Sequence, residues 1–133
     1  MTPIHDSPTR ITPAQISVLA DGEVFVFGSN AQGLHMGGAA RFAWERFGAV
    51  WGQGEGLQGR SYALPTMEGP EALRAAVARF TAYAKIHREL TFLVTPVGCG
   101  IAGYDAREVA PLFVEAARLP NVHLPQSFWN IIK

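Results

Sequence analysis

Residues 97–108 read VGCGIAGYDARE, directly after the apolar run TFLVTPV (91–97) and ahead of a helical pattern. Gly98, Gly100 and Gly103 stand in the G-x-G-x-x-G spacing of a dinucleotide-binding turn, so the reading of this stretch decides the fold. A Rossmann unit needs an acidic residue about 20 positions further on. Here the region from Pro120 to Pro125 holds no carboxylate. The same spacing recurs at Gly54, Gly56 and Gly59, where it precedes the strand-like SYALPT (61–66) and no helix. A pattern met twice among 14 glycines carries little weight, and no G-x-x-x-x-G-K-[ST] string exists. The Rossmann and P-loop readings are both rejected.

Outward from this stretch the chain alternates. VFVFG (24–28), SYALPT, TFLVT (91–95) and NVHLP (121–125) are short apolar runs, as buried strands require. Thr12-Pro13-Ala14-Gln15 predicts a capped helix start leading into ISVLA (16–20) and the Asp21-Gly22 turn. AARFAWERF (39–47) predicts a helix closed by Gly48. Gly69-Pro70 opens a long helix with Leu73, Val77, Phe80 and Ala84 on one face. A further helix carries Val109, Leu112, Phe113 and Ala116, and Pro111 kinks it or delays its start. WGQGEGLQGR (51–60) has too many glycines for an element and predicts a loop, and SFWNIIK (127–133) an apolar tail. The alternation predicts an α/β domain over 11–133: one three-layer α/β/α unit with a mostly parallel sheet, preceded by a loose polar arm over 1–10. Ligands bind such sheets outside the carboxyl ends of the strands, where the loops after Phe27 and Val97 lie.

Bulk properties narrow the partners. The chain is 48% hydrophobic and 17% charged, with 11 basic residues against 11 acidic ones and no basic stripe, so nucleic acid is not an expected partner. Any phosphate is then met by backbone N–H groups. The single cysteine, Cys99, allows neither an internal disulfide nor a thiolate-cluster metal site. No His/Cys/Asp/Glu set has metal-ligand spacing, so neither a metal nor a cofactor is expected. No apolar stretch approaches a membrane span, and MTPIHDSPTR lacks an apolar signal core; the expected location is cytoplasmic, with no membrane partner.

FGSN (27–30), QGLHMGGAA (32–40) and VGCGIAGY (97–104) together resemble the macro domain family, most closely the branch containing terminal ADP-ribose protein glycohydrolase. The resemblance runs over roughly Val24 to Val122. It implies a macro-like fold that binds ADP-ribose, or a related nucleotide diphosphate, free or on an ADP-ribosylated macromolecule. The lysine and aspartate of that branch fall here on Trp44 or Glu45 and on Ala102, so hydrolysis of an ADP-ribosyl linkage would proceed by water attack.

Facing glycine-rich loops let backbone N–H groups approach a diphosphate, and a helix N-terminus adds partial positive charge. Gly28, Ser29, Asn30, Gly37, Gly38 and Ala39 form one candidate wall, and Gly98, Cys99, Gly100, Ile101, Ala102, Gly103 and Tyr104 the other. Each loop alone reads equally well as a tight strand-to-helix turn. Asn30 is suited to a ribose hydroxyl or to a turn, and His35 to a phosphate or ribose contact or to a solvated loop. Glu55, among four glycines, is either a general base that activates water or an exposed charge. Tyr104 and Phe128 either pack on the ligand or belong to the core. Asp105 and Glu108 have capping-box spacing, and Cys99 reads as a packing residue. The catalytic candidates are thus Glu55, Asn30 and His35. The alternatives are a non-catalytic reader of ADP-ribose and an interaction module whose glycine loops are only turns.

Overall fold

Val24 and Val26 alternate with Phe25 and Phe27 along the first strand, and all four are buried, so both faces of this strand are covered. The computed structural model describes residues 9–132. In chain order the elements are β1 (Glu23–Ser29), α1 (Gly38–Arg46), β2 (Gly56–Gln58), β3 (Ser61–Pro65) and α2 (Pro70–Ile86). They continue with β4 (Thr91–Val94), α3 (Ala106–Val109), α4 (Val114–Ala117), β5 (Val122–His123) and α5 (Gln126–Ile132).

The five-stranded sheet has the order β2-β3-β1-β4-β5. β1 lies parallel to both β3 and β4, β5 is parallel to β4, and only β2 runs antiparallel. On one face Phe25, Phe27 and Ala63 pack with Ala40 and Ala43 of α1. On the other, Val24, Val26, Tyr62 and Leu64 pack with Leu73, Val77 and Phe80 of α2, Phe113 and Phe128. Fully burying each of these large side chains is worth about 1.5–3 kcal/mol, which makes this larger face the main source of stability. The mixed α/β domain read from the alternation is thus observed, with helices on both faces. The chain leaves β1 toward α1 on one face and leaves β4 toward α3 on the other, so a crevice opens between the carboxyl ends of these neighbouring strands.

Three local expectations need correction. The helix at Thr12 does not form. Thr12 instead donates its N–H to Leu124 O at 2.9 Å while Ile11 bridges Leu124, and this extended course brings Ile16 and Leu19 onto the Phe25 layer. So short a helix is marginal in water, and the tertiary contacts win. The 51–60 loop contains β2, joined to β3 by a Gly59-Arg60 turn with Gly59 at φ 61°. The apolar tail is helical, as α5, and buries Phe128 and Trp129. Pro111 acts as read: a 3₁₀ turn over Ala110–Phe113 separates α3 from α4. Of the loose arm expected over 1–10, residues 1–8 lie outside the described residues. Arg10 is held fast, its guanidinium donating to Ala117 O and Leu119 O at 2.8 Å each.

Candidate functional site

Both glycine-rich loops leave the sheet at the same rim and enclose a cleft of about 410 Å³, within the range of small-molecule sites. Its floor is the carboxyl ends of β1, β3 and β4, with Ser29, Thr66 and Thr95. One wall is the loop into α1, with Met36, Gly37, Gly38 and Ala39; the other is Gly98, Gly100, Ile101 and Ala102. The walls nearly touch. A Cβ on Gly37 would lie 3.7 Å from Ile101 Cδ1, and one on Gly28 would lie 3.4 Å from Gly98 N. Glycine at position 28 is therefore what keeps the floor open.

The electrostatics come from the backbone alone. α1 has no acidic residue in its first turn and no side-chain cap. Among the described residues, the N–H groups of Gly38, Ala39 and Ala40 on one wall and of Gly98, Gly100, Ile101 and Ala102 on the other have no protein acceptor. No described lining residue is charged. Such a site favours an anion through oriented N–H dipoles and the end of the helix.

The second loop is folded by its own bonds. Gly98 (φ 77°) and Gly103 (φ 81°) take conformations that favour glycine, while Tyr104 N donates to Gly98 O at 2.9 Å and Gly103 N to Gly100 O at 3.0 Å. Asp105 caps α3 by accepting from Arg107 N, and Glu108 returns a carboxylate to Asp105 N, which is the capping box read from the spacing. Those contacts hold the Asp105 carboxyl below its ordinary value, the backbone bond first and the Arg107 side chain second.

Several expected contacts are relocated. His35 is fully buried and does not line the cleft. Its ring joins Ser29 Oγ at 2.7 Å, Val50 O at 2.8 Å and Gln58 Oε1 at 3.2 Å, tying the loop after β1 to the β2–β3 hairpin. Asn30 lines the cleft, yet both ends of its carboxamide are bonded to the Leu34 backbone at 3.0 Å, as in the turn reading. Glu55 lies outside the cleft. Gly56 (φ 94°) turns the edge strand so that the carboxylate pairs with Arg79 of α2, Arg79 Nη2 donating at 2.9 Å. Its charge reaches the α2 face of the sheet, where burial first and Glu55 second push the Tyr62 hydroxyl up to about 12. Phe128 is fully buried in the core and does not line the cleft. Tyr104 and Cys99 pack against the same core, and Gly103 sits in the turn behind the wall. Burial, with the Asp105 and Glu108 charges behind it, pushes the Cys99 thiol up, which fits a packing role.

Sequence reasoning missed Thr66 and Thr95, each of which ends an apolar strand run at the cleft floor. That shared placement was a usable signal. It also missed a second cleft of about 640 Å³, which shares Gly38, Ala39, Thr95 and Pro96 with the first and is walled by Ile11, Pro13, Ile16, Phe42 and Pro125. The segment that lines it had been read as a helix. No helix among the described residues is long and apolar enough to cross a membrane. Comparison with family models, curated proteins and solved structures found no significant match for this chain.

Proposed function

We propose that the chain is a binding domain for ADP-ribose or a closely related nucleotide diphosphate. The observation that carries the reading is the pair of facing walls whose N–H groups have no acceptor among the described residues, in a cleft whose described lining carries no charged side chain. A diphosphate supplies acceptors for both walls at once, and the α1 N-terminus adds partial positive charge. The adjoining cleft supports a nucleotide over inorganic diphosphate, because it adds about 640 Å³ of space that continues from the first cleft at Gly38 and Ala39. The macro domain resemblance of FGSN, HMGGAA and VGCGIAGY points to the same ligand.

Hydrolysis has less support. The three catalytic candidates are occupied elsewhere: Glu55 by Arg79, His35 by its buried bonds, and Asn30 by Leu34. The reading adopted is therefore retention of the ligand, as a reader of free or macromolecule-bound ADP-ribose. Calorimetric titration with ADP-ribose tests it. Saturable heat is expected, with a rise in melting temperature; at a hundredfold excess over Kd the linkage amounts to about 2.7 kcal/mol. No heat and no shift at millimolar ADP-ribose would end the proposal.

A further inference from the structure

Residues 12–20 have a helix start in their sequence and no helix in their fold. Thr12-Pro13-Ala14-Gln15 supplies the cap, the proline and the returning glutamine, and Ile16 and Leu19 stand on one helical face. The chain instead crosses the α1 face of the sheet as a strap tied at its ends. Thr12 N donates to Leu124 O at 2.9 Å at one end; at the other Arg60 Nη2 donates to Leu19 O at 3.0 Å and Ala20 O at 2.8 Å. Among the described residues, no backbone N–H or C=O from Pro13 to Val18 has a hydrogen-bond partner. Thr12 is 4% exposed, and its Oγ1 is buried without a partner among the described residues. That oxygen is the one that would cap the helix by accepting from Gln15 N.

The strap is also loosely packed. Clefts of about 640 and 320 Å³ flank it, and Ile11, Pro13 and Ile16 line both, whereas a settled layer leaves few voids. Length makes the two forms exclude each other. Ile11 pairs with Leu124 outside β5, three strands from β1, and Leu124 stands one residue beyond His123, which the register sets level with Phe25. The other end is fixed where Glu23 accepts from Ala20 N at 2.8 Å. At about 4.8 Å per strand and about 3.3 Å per residue, the path between these ends is roughly 17 Å. A helix over residues 13–20 is only about 12 Å long, so forming it draws Ile11 and Thr12 off Leu124. Arg10 limits the travel, since its guanidinium is held by Ala117 O and Leu119 O. The exchange is balanced. Thr12 N–H gives up Leu124 O for the Gln15 side chain, the buried hydroxyl gains a donor, and the face that carries Ile16 and Leu19 suits the Phe25 layer in both forms.

We propose that residues 12–20 are a two-state gate of the second cleft, extended when closed and helical when open, with Thr12 as its switch. In the helical form Ile11 and Pro13 leave the cleft wall. The gate follows from the strap alone and does not depend on the ligand proposed above. NMR relaxation dispersion on the full chain tests it, because it detects a minor form exchanging in microseconds to milliseconds and gives the shifts of that form. The expected result is a minor form with helical Cα shifts over 13–20, with Leu124 exchanging at the same rate as Thr12. Ser17→Ala/Val18→Ala changes two exposed side chains in favour of the helix and should raise the minor population about fivefold. Thr12→Val keeps the shape, removes the cap and should lower it about tenfold. Melting curves verify that both variants fold. Absence of exchange over 12–20 in both the wild type and the double variant overturns the proposal. So does a minor form without helical shifts, a different rate at Leu124, or a population that Thr12→Val leaves unchanged.

Discussion

Replacing His35 with alanine tests the buried network that orients the Ser29 hydroxyl. The ring is fully buried and accounts for three hydrogen bonds, to Ser29, Val50 and Gln58. Truncating a buried ring of this size costs about 3–5 kcal/mol in transfer and cavity terms. The Ser29 hydroxyl also loses its partner, a further cost of about 1–3 kcal/mol for a buried polar group left unpaired. Gln58 Oε1 keeps Val50 N at 2.7 Å, so no comparable cost arises there. A polar hole of this size admits water, which returns part of the loss. The net expectation is about 4 kcal/mol, out of the roughly 5–15 kcal/mol typical of a folded domain. Urea denaturation at pH 7.5, followed by tryptophan fluorescence, measures it as a shift of midpoint at unchanged slope. A loss below about 1 kcal/mol would mean that the network is hydrated and does not hold the Ser29 side chain in place.

Two further perturbations separate frame from wall and buried from open. Gly54→Ala would bring a Cβ to 2.2 Å from Asn30 O and 2.5 Å from Ala31 O, both backbone, so a melting temperature lower by several degrees is expected. Gly100→Ala meets nothing within 4 Å and should melt like the wild type. His123 is the pH probe: burial first and the Arg10 guanidinium second hold its pKa below the ordinary 6.5. The unfolded chain then takes up a proton that the folded one refuses, so stability is full above pH 6.5 and falls as pH drops through that value. Urea midpoints between pH 7.5 and 5 should show this slope and lose part of it in His123→Gln.

The layers were legible because apolar runs and turn residues coincide at β1, β3 and β4, and because Pro111 leaves one outcome for the helix around it. The N-terminal segment was not. Its cap signature is genuine locally, but Thr12 and Ile11 gain Leu124 as partner, a residue far along the chain. β2 was hidden by its glycines, which serve an edge hairpin. α5 was signalled by Phe128 and Ile132 four positions apart behind Pro125, within a segment short enough to pass for a tail. For the candidate site, the loops that meet could be read from their glycines, since close approach needs small residues. The role of His35 could not, because its partner Gln58 lies 23 positions away with no pattern linking them.

The composition of the cleft bears on turnover as well as on binding. Among the described residues its lining contains no Asp, Glu, His, Cys, Tyr, Lys or Arg. A positioned acid or base contributes roughly 10²–10⁴ in rate, and none of the described lining residues is of that type. What the walls do supply is fixed N–H donors, which stabilise negative charge already present on a diphosphate as well as any that develops. Stabilisation shared by ground and transition states strengthens binding without raising kcat. Under the proposed binding, a clamp of this kind would hold its ligand, and cleavage at this rim would have to draw its base from the ligand's own hydroxyls or phosphates.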